Sequence, residues 1–113
     1  MTRNLSRDVQ FKLFARLVNA GVDVRAEREL PATSPRSKSG RFYADLAVFR
    51  DGKIVALCEC KSRGRPLKGK RQKQNYEECG YPFIVAGADN IEEAFGWLRD
   101  HGQGFRHRGL KLG

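Results

Sequence analysis

Two carboxylates and an amine lie in one short stretch of the sequence, at places where a buried strand would carry apolar side chains. Asp45 begins a largely apolar run, and Glu59 and Lys61 end a second one. Residues two apart on a strand share a face, so Glu59 and Lys61 point to the same side. Buried charges are costly unless they are paired, hydrogen-bonded or bound to a metal ion. These three residues are therefore the candidates for chemistry.

Carboxylates and a lysine on one side of a sheet edge would form a site for a divalent cation. Mg²⁺ prefers oxygen ligands, and it commonly combines one or two carboxylates with water and phosphate oxygens. Such an ion stabilises the phosphorane-like transition state and lowers the pKa of a bound water, while a lysine can orient that water. The residue types favour Mg²⁺-dependent hydrolysis of phosphodiesters, with Mn²⁺ expected to substitute.

The turn between the two apolar runs decides whether the carboxylates can meet. Asp51 and Gly52 predict a tight hairpin turn. In a regular two-residue hairpin Asp45 lies opposite Cys58, and its side chain then points away from Glu59. A three-residue loop or another β-bulge would put both carboxylates on one face. The site hypothesis requires one of these, and a regular two-residue hairpin would remove the site.

The elements that would position these residues follow the order α-β-β-β-α-β-α. The patterns predict a helix to residue 20, a strand over 22–30 and a hairpin over 41–61. A helix over 67–79, a strand over 81–86 and a helix to residue 100 follow, the last with a capping box of Asn90 and Glu93. The second hairpin strand is apolar on both faces, which is typical of a central strand. The predicted fold class is α/β, a mixed sheet flanked by helices.

Composition is typical of one globular domain. The 113 residues are 40% hydrophobic and 31% charged. This composition predicts a globular chain rather than a disordered or membrane-spanning one. The domain is predicted to cover 1–113, with a core over about 6–100 and a basic tail over 101–113. Short apolar runs and the lack of a signal-peptide pattern predict a cytoplasmic protein without a membrane partner. The 3 cysteines are interpreted as buried thiols rather than disulfides or zinc ligands.

The charge balance favours a polyanionic partner over a merely solvated basic surface. Lys and Arg number 22 against 13 Asp and Glu, a net charge of +9, and nucleic acid is the usual partner of such a domain. Seven basic residues and no acid lie within residues 61–73, directly after the candidate site. Those predicted to bind phosphates are Arg63, Arg65, Lys68, Lys70, Arg71 and Lys73. The Pro- and Ser-rich stretch 31–40 is predicted to be a loop that assists them.

Asp45 followed by the run Glu59-Cys60-Lys61 resembles the motif of the PD-(D/E)xK nuclease superfamily. The resemblance covers residues 9–100 and includes the order of the elements, so it implies a restriction-endonuclease-like fold. The segment from Gln72 onward is similar to the helix and strand of small stand-alone members, among them VRR-NUC domains and archaeal-type Holliday-junction resolvases. One departure is Ala44, which stands where the family's proline would be.

The resemblance also implies roles for individual residues. Asp45 and Glu59 would be metal ligands, together with the main-chain carbonyl of Cys60, and Lys61 would position the attacking water. Gln72 resembles the helix glutamine that supports many such sites, with Gln74 as the weaker alternative.

Members of this family often carry a further acid in the first helix. The first helix of this chain has no Glu, only Asp8 and Gln10 near its start. Glu29, at the end of the first strand, is the candidate substitute, and Glu27 is the alternative.

The resulting prediction is a Mg²⁺-dependent DNA endonuclease. No appended recognition motif is visible, so we expect it to select junctions, flaps or ends rather than a sequence. One alternative is a non-catalytic nucleic-acid-binding module with the same basic surface. Another is a nuclease subunit of a restriction or repair complex, whose partner protein supplies specificity. The sequence leaves homodimerisation and the choice between DNA and RNA open.

Overall fold

The computed structural model describes residues 5–31, 41–63 and 70–104. The elements within these ranges are α1 (Leu5–Asn19), β1 (Asp23–Pro31), β2 (Arg41–Arg50), β3 (Lys53–Cys60), α2 (Lys70–Glu78), β4 (Phe83–Ala86) and α3 (Ile91–Gln103). This is the predicted order, and the α/β fold class is confirmed. Most of the predicted loop 31–40, the start of the predicted helix 67–79 and residues 105–113 of the predicted tail lie outside the described ranges. None of the helices that the structure describes is long and apolar enough to span a membrane.

The described strands form one mixed sheet in the order β1-β2-β3-β4. β1 and β3 each pair antiparallel with β2, and β4 runs parallel to β3. The predicted central position of β3 is confirmed, and each of its last residues is buried: Ala56, Leu57, Cys58, Glu59 and Cys60. A strand buried on both faces needs apolar side chains on both, which explains the continuous apolar run in its sequence.

One face of the sheet is covered by α1 and α3. The buried side of α1 consists of Val9, Leu13 and Leu17, and α3 contributes Ala94 and Leu98. Their spacing of four residues places them on one side of each helix. Burial of each of these larger aliphatic side chains contributes about 1.5–3 kcal/mol to folding, so the two helices are held mainly by this face.

The other face is covered by α2 through Tyr76. Its ring lies 5.3 Å from that of Phe42 and 5.2 Å from that of Phe83, measured between centroids. Leu57 and Ala47 belong to the same buried cluster. Tyr76 therefore joins α2 to the centre of the sheet, where its hydroxyl meets β3.

Strand β2 changes the face that it presents at Asp45. Ala44 packs in the cluster around Tyr76, whereas Leu46 packs in the core formed with α1 and α3. In a regular strand residues two apart share a face. Asp45 therefore sits at the point where the strand rotates, and not inside either core.

Strand β1 changes face at the corresponding position, Glu27. Val24 packs in the core with α1 and α3, and Leu30 packs with the Tyr76 cluster. Between them Glu27 has φ 53°, a left-handed conformation that is uncommon for a residue other than glycine. The ladder between β1 and β2 pairs Ala26 with Leu46 and Arg28 with Ala44, and it leaves out Glu27 and Asp45 between them.

Two predicted details near the C-terminus are wrong. Asn90 makes no side-chain cap for α3. Its Oδ1 instead accepts from the Gly87 amide at 2.7 Å, and its Nδ2 donates to the Val85 carbonyl at 3.0 Å. The helix also continues to Gln103, so the first residues of the predicted basic tail 101–113 are helical. Gly104, with φ 75°, ends it in the left-handed conformation typical of a helix C-terminus.

Candidate functional site

The β2–β3 turn has two residues. Asp51 and Gly52 have φ 55° and 79°, which match a type I′ turn, and Arg50 pairs with Lys53 across it. The three-residue loop that would have placed the carboxylates together is therefore absent from this described hairpin. Without another irregularity, this turn would put Asp45 and Glu59 on opposite faces.

A β-bulge in β3 restores the required register. Phe49 pairs with Ile54, but the preceding residue of β2, Val48, pairs with Ala56. Val55 is therefore the additional residue, and every pair beyond it is shifted by one position. This is the second of the two geometries that the sequence left open.

The shifted register brings Asp45 and Glu59 opposite each other. The last pair of the β2–β3 ladder is Leu46 with Cys58, and the next residues along the two strands are Asp45 and Glu59. Like charges directly opposite each other on paired strands are unfavourable. The hairpin thus places two acids where stability alone would disfavour them.

Asp45 is held from two sides. Its Oδ2 accepts the backbone N–H of Cys60 at 2.7 Å, in place of a further ladder hydrogen bond between the strands. Its main-chain carbonyl accepts from Gln10 Nε2 of α1 at 3.0 Å. The half-buried carboxylate is therefore attached to β3, and its backbone is attached to α1.

Glu59 is buried, with 5% of its surface exposed. Its Oε1 accepts from the Tyr76 hydroxyl at 2.8 Å, and its Oε2 lies 3.4 Å from Lys61 Nζ. The Lys61 side chain is 40% exposed. The buried Glu59 carboxylate is thus hydrogen-bonded to Tyr76 and contacted by Lys61, which reaches the surface.

Both carboxyl groups have pKa values above their ordinary range. Burial is the largest cause for each, and the charge of Asp45 further raises the pKa of Glu59. The Cys60 N–H opposes the rise for Asp45, the Tyr76 hydroxyl opposes it for Glu59, and Lys61 opposes it for both. A cation bound between the two groups would favour their ionised forms. Burial and the negative charge of Glu59 also raise the pKa of Tyr76, so its hydroxyl remains a hydrogen-bond donor.

The donor atoms suit a hard divalent cation. The Lys61 amide donates to the Ala86 carbonyl of β4 at 2.8 Å, and backbone groups of successive strand residues point in opposite directions. The carbonyl of Cys60 therefore points toward Asp45, as its N–H does. Residues 5–31, 41–63 and 70–104 contain no group of three or more His, Cys, Asp or Glu side chains placed to hold a metal. The cation would thus bind two carboxylates and a carbonyl, with water or phosphate oxygens filling its shell.

The helix glutamines have different places in the structure. Gln72 lies on α2, but its side chain is outside the description. Gln74 Nε2 donates to Glu78 Oε2 at 3.1 Å, four residues along the same helix. The side chain that α2 is seen to direct at Glu59 is that of Tyr76.

The two candidate extra acids also differ. Glu29 pairs across the strands with Tyr43, and its Oε2 accepts from Arg41 Nη1 at 2.9 Å. Glu27 lies at the kink of β1, where its negative charge contributes to the raised pKa of Asp45. Of the two, Glu27 is the one whose charge reaches the site.

The predicted phosphate-binding residues are described in part. Arg63, which precedes residues 64–69, is exposed, and so is Lys73 on α2. Lys70 and Arg71 lie on α2 with side chains outside the description, and Arg65 and Lys68 fall within residues 64–69, which are not described.

All three cysteines are free thiols, but Cys79 is only half-buried, in contrast to the buried position expected from the sequence. Cys58 and Cys60 are buried, with their sulfur atoms 3.9 Å apart. Their hydrogen bond and burial raise the pKa of the Cys58 thiol well above its ordinary value. Cys58 is therefore a neutral core residue, whereas Cys60 serves the site through its backbone.

Sequence reasoning missed the contributions of Tyr76 and Gln10. The ring of Tyr76 belongs to the core, but its hydroxyl also donates to Glu59. A buried tyrosine hydroxyl usually requires a partner, which was the available signal, although the partner could not be identified without the fold.

Comparison of the chain with protein-family models, with curated proteins and with solved structures found no match.

Proposed function

We propose that this protein is a Mg²⁺-dependent DNA endonuclease of the PD-(D/E)xK superfamily with a restriction-endonuclease-like fold. The observation that carries the proposal is the meeting of Asp45 and Glu59 through a bulged hairpin, with Lys61 3.4 Å from Glu59. Burial raises the pKa of both acids, and the charge of Asp45 raises that of Glu59 further, so the pair is unfavourable for stability. Such arrangements are concentrated at functional sites.

Asp45, Glu59 and the main-chain carbonyl of Cys60 would hold the metal ion. When bound, Mg²⁺ would stabilise negative charge on the phosphate and acidify a water molecule. Mn²⁺ has similar oxygen preferences and is expected to substitute.

The side chains of the site would orient both the acids and the substrate. The Cys60 amide fixes the rotamer of Asp45, and the Tyr76 hydroxyl fixes one oxygen of Glu59. Lys61 is exposed enough to reach an entering phosphate or water while it remains near Glu59. Its positive charge would stabilise the phosphate oxygens or orient the attacking water.

DNA is supported as the substrate by charge. The chain carries a net charge of +9, and the exposed Arg63 follows Lys61 closely in sequence. Contacts of this kind bind phosphates without reading bases. Selection of junctions, flaps or ends therefore fits the chain better than selection of a sequence. A homodimer or a partner protein could add to this selectivity.

The test is cleavage of a four-way junction, a flap, plain duplex and single-stranded DNA, each with Mg²⁺ and with EDTA. Wild type is compared with Asp45→Ala and Lys61→Ala. Asp23→Ala and Lys53→Ala are matched controls, because both residues are exposed. We expect cleavage by the wild type and both controls in Mg²⁺, and a loss of at least about a hundredfold in the two site variants.

Binding of every substrate without cleavage would contradict the proposal. If Asp45→Ala then binds as tightly as the wild type in EDTA, the non-catalytic binding module becomes the better description. That alternative is favoured by the same basic residues, but it leaves the paired acids without a role.

A further inference from the structure

A cavity lies beside the site, between α1 and the kink of β1. Its volume is about 240 Å³, and it is lined by Arg7, Gln10, Phe11, Phe14, Ala26 and Glu27. The phenyl rings and Ala26 provide apolar walls, while the remaining three side chains provide polar groups. A mostly apolar pocket with a few polar groups is typical of a site for a small ring-containing ligand.

Phe11 is the most exposed large apolar side chain among the described residues. It is 72% exposed, compared with 49% for Val18 on the same helix. A ring exposed to this extent at the edge of a cavity is available for stacking. The cation of Arg7 lies nearby, 3.9 Å from the Glu27 carboxylate.

Two of the residues that line the cavity also connect to the site. Gln10 lines the cavity and also donates to the main-chain carbonyl of Asp45 at 3.0 Å. Glu27 lines it as well, at the left-handed position where β1 leaves its ladder with β2 opposite Asp45. Strained backbone of this kind persists where the surrounding structure enforces it, and it is frequent at ligand sites. The same distortion thus borders both the cavity and Asp45.

We propose that this cavity is a subsite for one unpaired base of a DNA strand whose phosphate lies at Asp45 and Glu59. The inference rests on the proposed function and extends it by naming the substrate class, DNA with unpaired nucleotides beside the cleaved bond. A base would stack on Phe11, and its polar edge would meet Gln10, Glu27 or Arg7. A paired base cannot enter, because its edge is occupied and its ring is stacked within the duplex.

The chemistry of the lining favours a base over an apolar peptide or a second copy of this chain. Stacking on an aromatic side chain accepts any base and is the common way in which proteins bind single strands. Gln10, Glu27 and Arg7 offer polar groups that the edge of a base can contact and that an aliphatic side chain cannot use. The net charge of +9 attracts the strand that carries the base.

The experiment measures binding without cleavage, in EDTA, with the Asp45→Asn variant of the 113-residue chain. Its probes are a short single strand and the matching duplex, each carrying the fluorescent base 2-aminopurine at its centre. We expect the protein to change the fluorescence of the single strand and to bind it more tightly than the duplex. Adding Phe11→Ala should weaken single-strand binding by about fivefold or more and abolish the fluorescence change. Phe11→Trp should preserve both.

Val18→Ala is the matched control, since it removes an exposed apolar side chain from the same helix outside the cavity. It should leave the affinity and the fluorescence change unaltered. Equal binding of the single strand by Phe11→Ala and by its parent, or equal loss in Val18→Ala, would overturn the subsite. So would failure of the Asp45→Asn protein to bind the single strand. Self-association that is lost in Phe11→Ala would assign the surface to a second copy instead.

This readout is separate from the cleavage test. If the protein cuts DNA but its single-strand binding does not depend on Phe11, the nuclease proposal stands and the subsite proposal fails. A protein that stacks a base on Phe11 without cutting retains the subsite as part of a binding module.

Discussion

At the scale of single residues, the site holds two neighbouring acids whose pKa values are both raised. Asp45 accepts from the Cys60 amide, and Glu59 accepts from Tyr76 and lies near Lys61. These contacts lower the two pKa values but do not offset burial, nor, for Glu59, the repulsion from the charge of Asp45. The residual repulsion is relieved when a cation binds or when one acid is neutralised.

We predict that Asp45→Asn stabilises the protein in EDTA at neutral pH by up to about 1 kcal/mol. The amide oxygen can still accept from Cys60, while the charge opposite Glu59 is removed. The folded state raises the pKa of Asp45, so between its unfolded and folded pKa values the folded state binds more protons than the unfolded state. The free energy of unfolding that this group contributes therefore falls as the pH rises through that window.

Urea denaturation from about pH 4 upward measures this effect. The advantage of the variant over the wild type should be smallest at the acidic end and should grow as the pH rises. Asp23→Asn is the control, because Asp23 is exposed. An advantage that does not change with pH would show that the effect is not due to ionisation of Asp45.

Tyr76→Phe should lower cleavage about 10- to 100-fold, as loss of a residue that orients a metal ligand does. The variant keeps the ring contacts with Phe42 and Phe83 and removes the hydroxyl that donates to Glu59. The reduction should be in kcat or in the Mg²⁺ requirement, and the affinity for DNA in EDTA should be unchanged.

Tyr43→Phe is the matched control, since Tyr43 is 61% exposed and its hydroxyl lies 3.4 Å from Glu29. It should cleave at the wild-type rate. If Tyr76→Phe also cleaves at that rate, the hydroxyl has a structural role alone.

At the scale of elements, two irregularities in the sheet create the site. The bulge at Val55 brings Asp45 opposite Glu59, and the left-handed residue Glu27 accompanies the change of face in β1 and β2. The helices stabilise this distorted sheet by close packing. One close approach is that of Gly102 in α3 to the side chains of Val22 and Val48.

Gly102→Ala should destabilise the protein by about 1–3 kcal/mol, the usual effect of overpacking. A Cβ at this position would lie 2.6 Å from Val22 Cγ1 and 3.0 Å from Val48 Cγ1, so the valine side chains or α3 would have to shift. Thermal denaturation followed by circular dichroism measures the change.

Gly96→Ala is the matched substitution in the same helix. The nearest atom to its Cβ would be Arg99 Nη2 at 4.0 Å, so space is available. Alanine is a better helix former than glycine, and we expect a stabilisation of up to about 1 kcal/mol. Equal effects of the two substitutions would mean that close packing of α3 does not decide the result.

At the scale of the whole molecule, the overall positive charge and the two acids of the site would act on DNA in opposite ways. In the proposed nuclease the net charge of +9 would attract DNA, whereas the acids at Asp45 and Glu59 would repel phosphate until a cation is bound. Basic residues beside the acids would then matter most for holding the strand before cleavage.

Arg63→Ala and Lys73→Ala should each weaken duplex binding and reduce the slope of log K against log salt by about 0.9. Both side chains are exposed near the site in sequence. Fluorescence anisotropy over a series of salt concentrations in EDTA measures the slope. Lys53→Ala, at the far end of the hairpin, is the control and should leave the slope unaltered. Equal slopes in all four proteins would exclude Arg63 and Lys73 from the phosphate-binding surface.

Local patterns in the sequence determined the order of the elements and the central position of β3. Each depends on periodicity, turn residues and apolar runs, which are properties of neighbouring residues. The same reasoning singled out Asp45, Glu59 and Lys61, because charges at the ends of apolar runs are conspicuous without any structure.

Tertiary structure decided how those residues meet. The residue types of Asp51 and Gly52 were enough to predict the tight turn that they form. The bulge at Val55 depends instead on the packing of both faces of β3. Asn90 matched a capping box, yet its amide binds the end of β4 because that strand lies within reach. The contacts of Tyr76 with Glu59 and of Gln10 with Asp45 join residues far apart in sequence. Local pattern cannot specify such contacts, because they form only after helices and sheet have packed together.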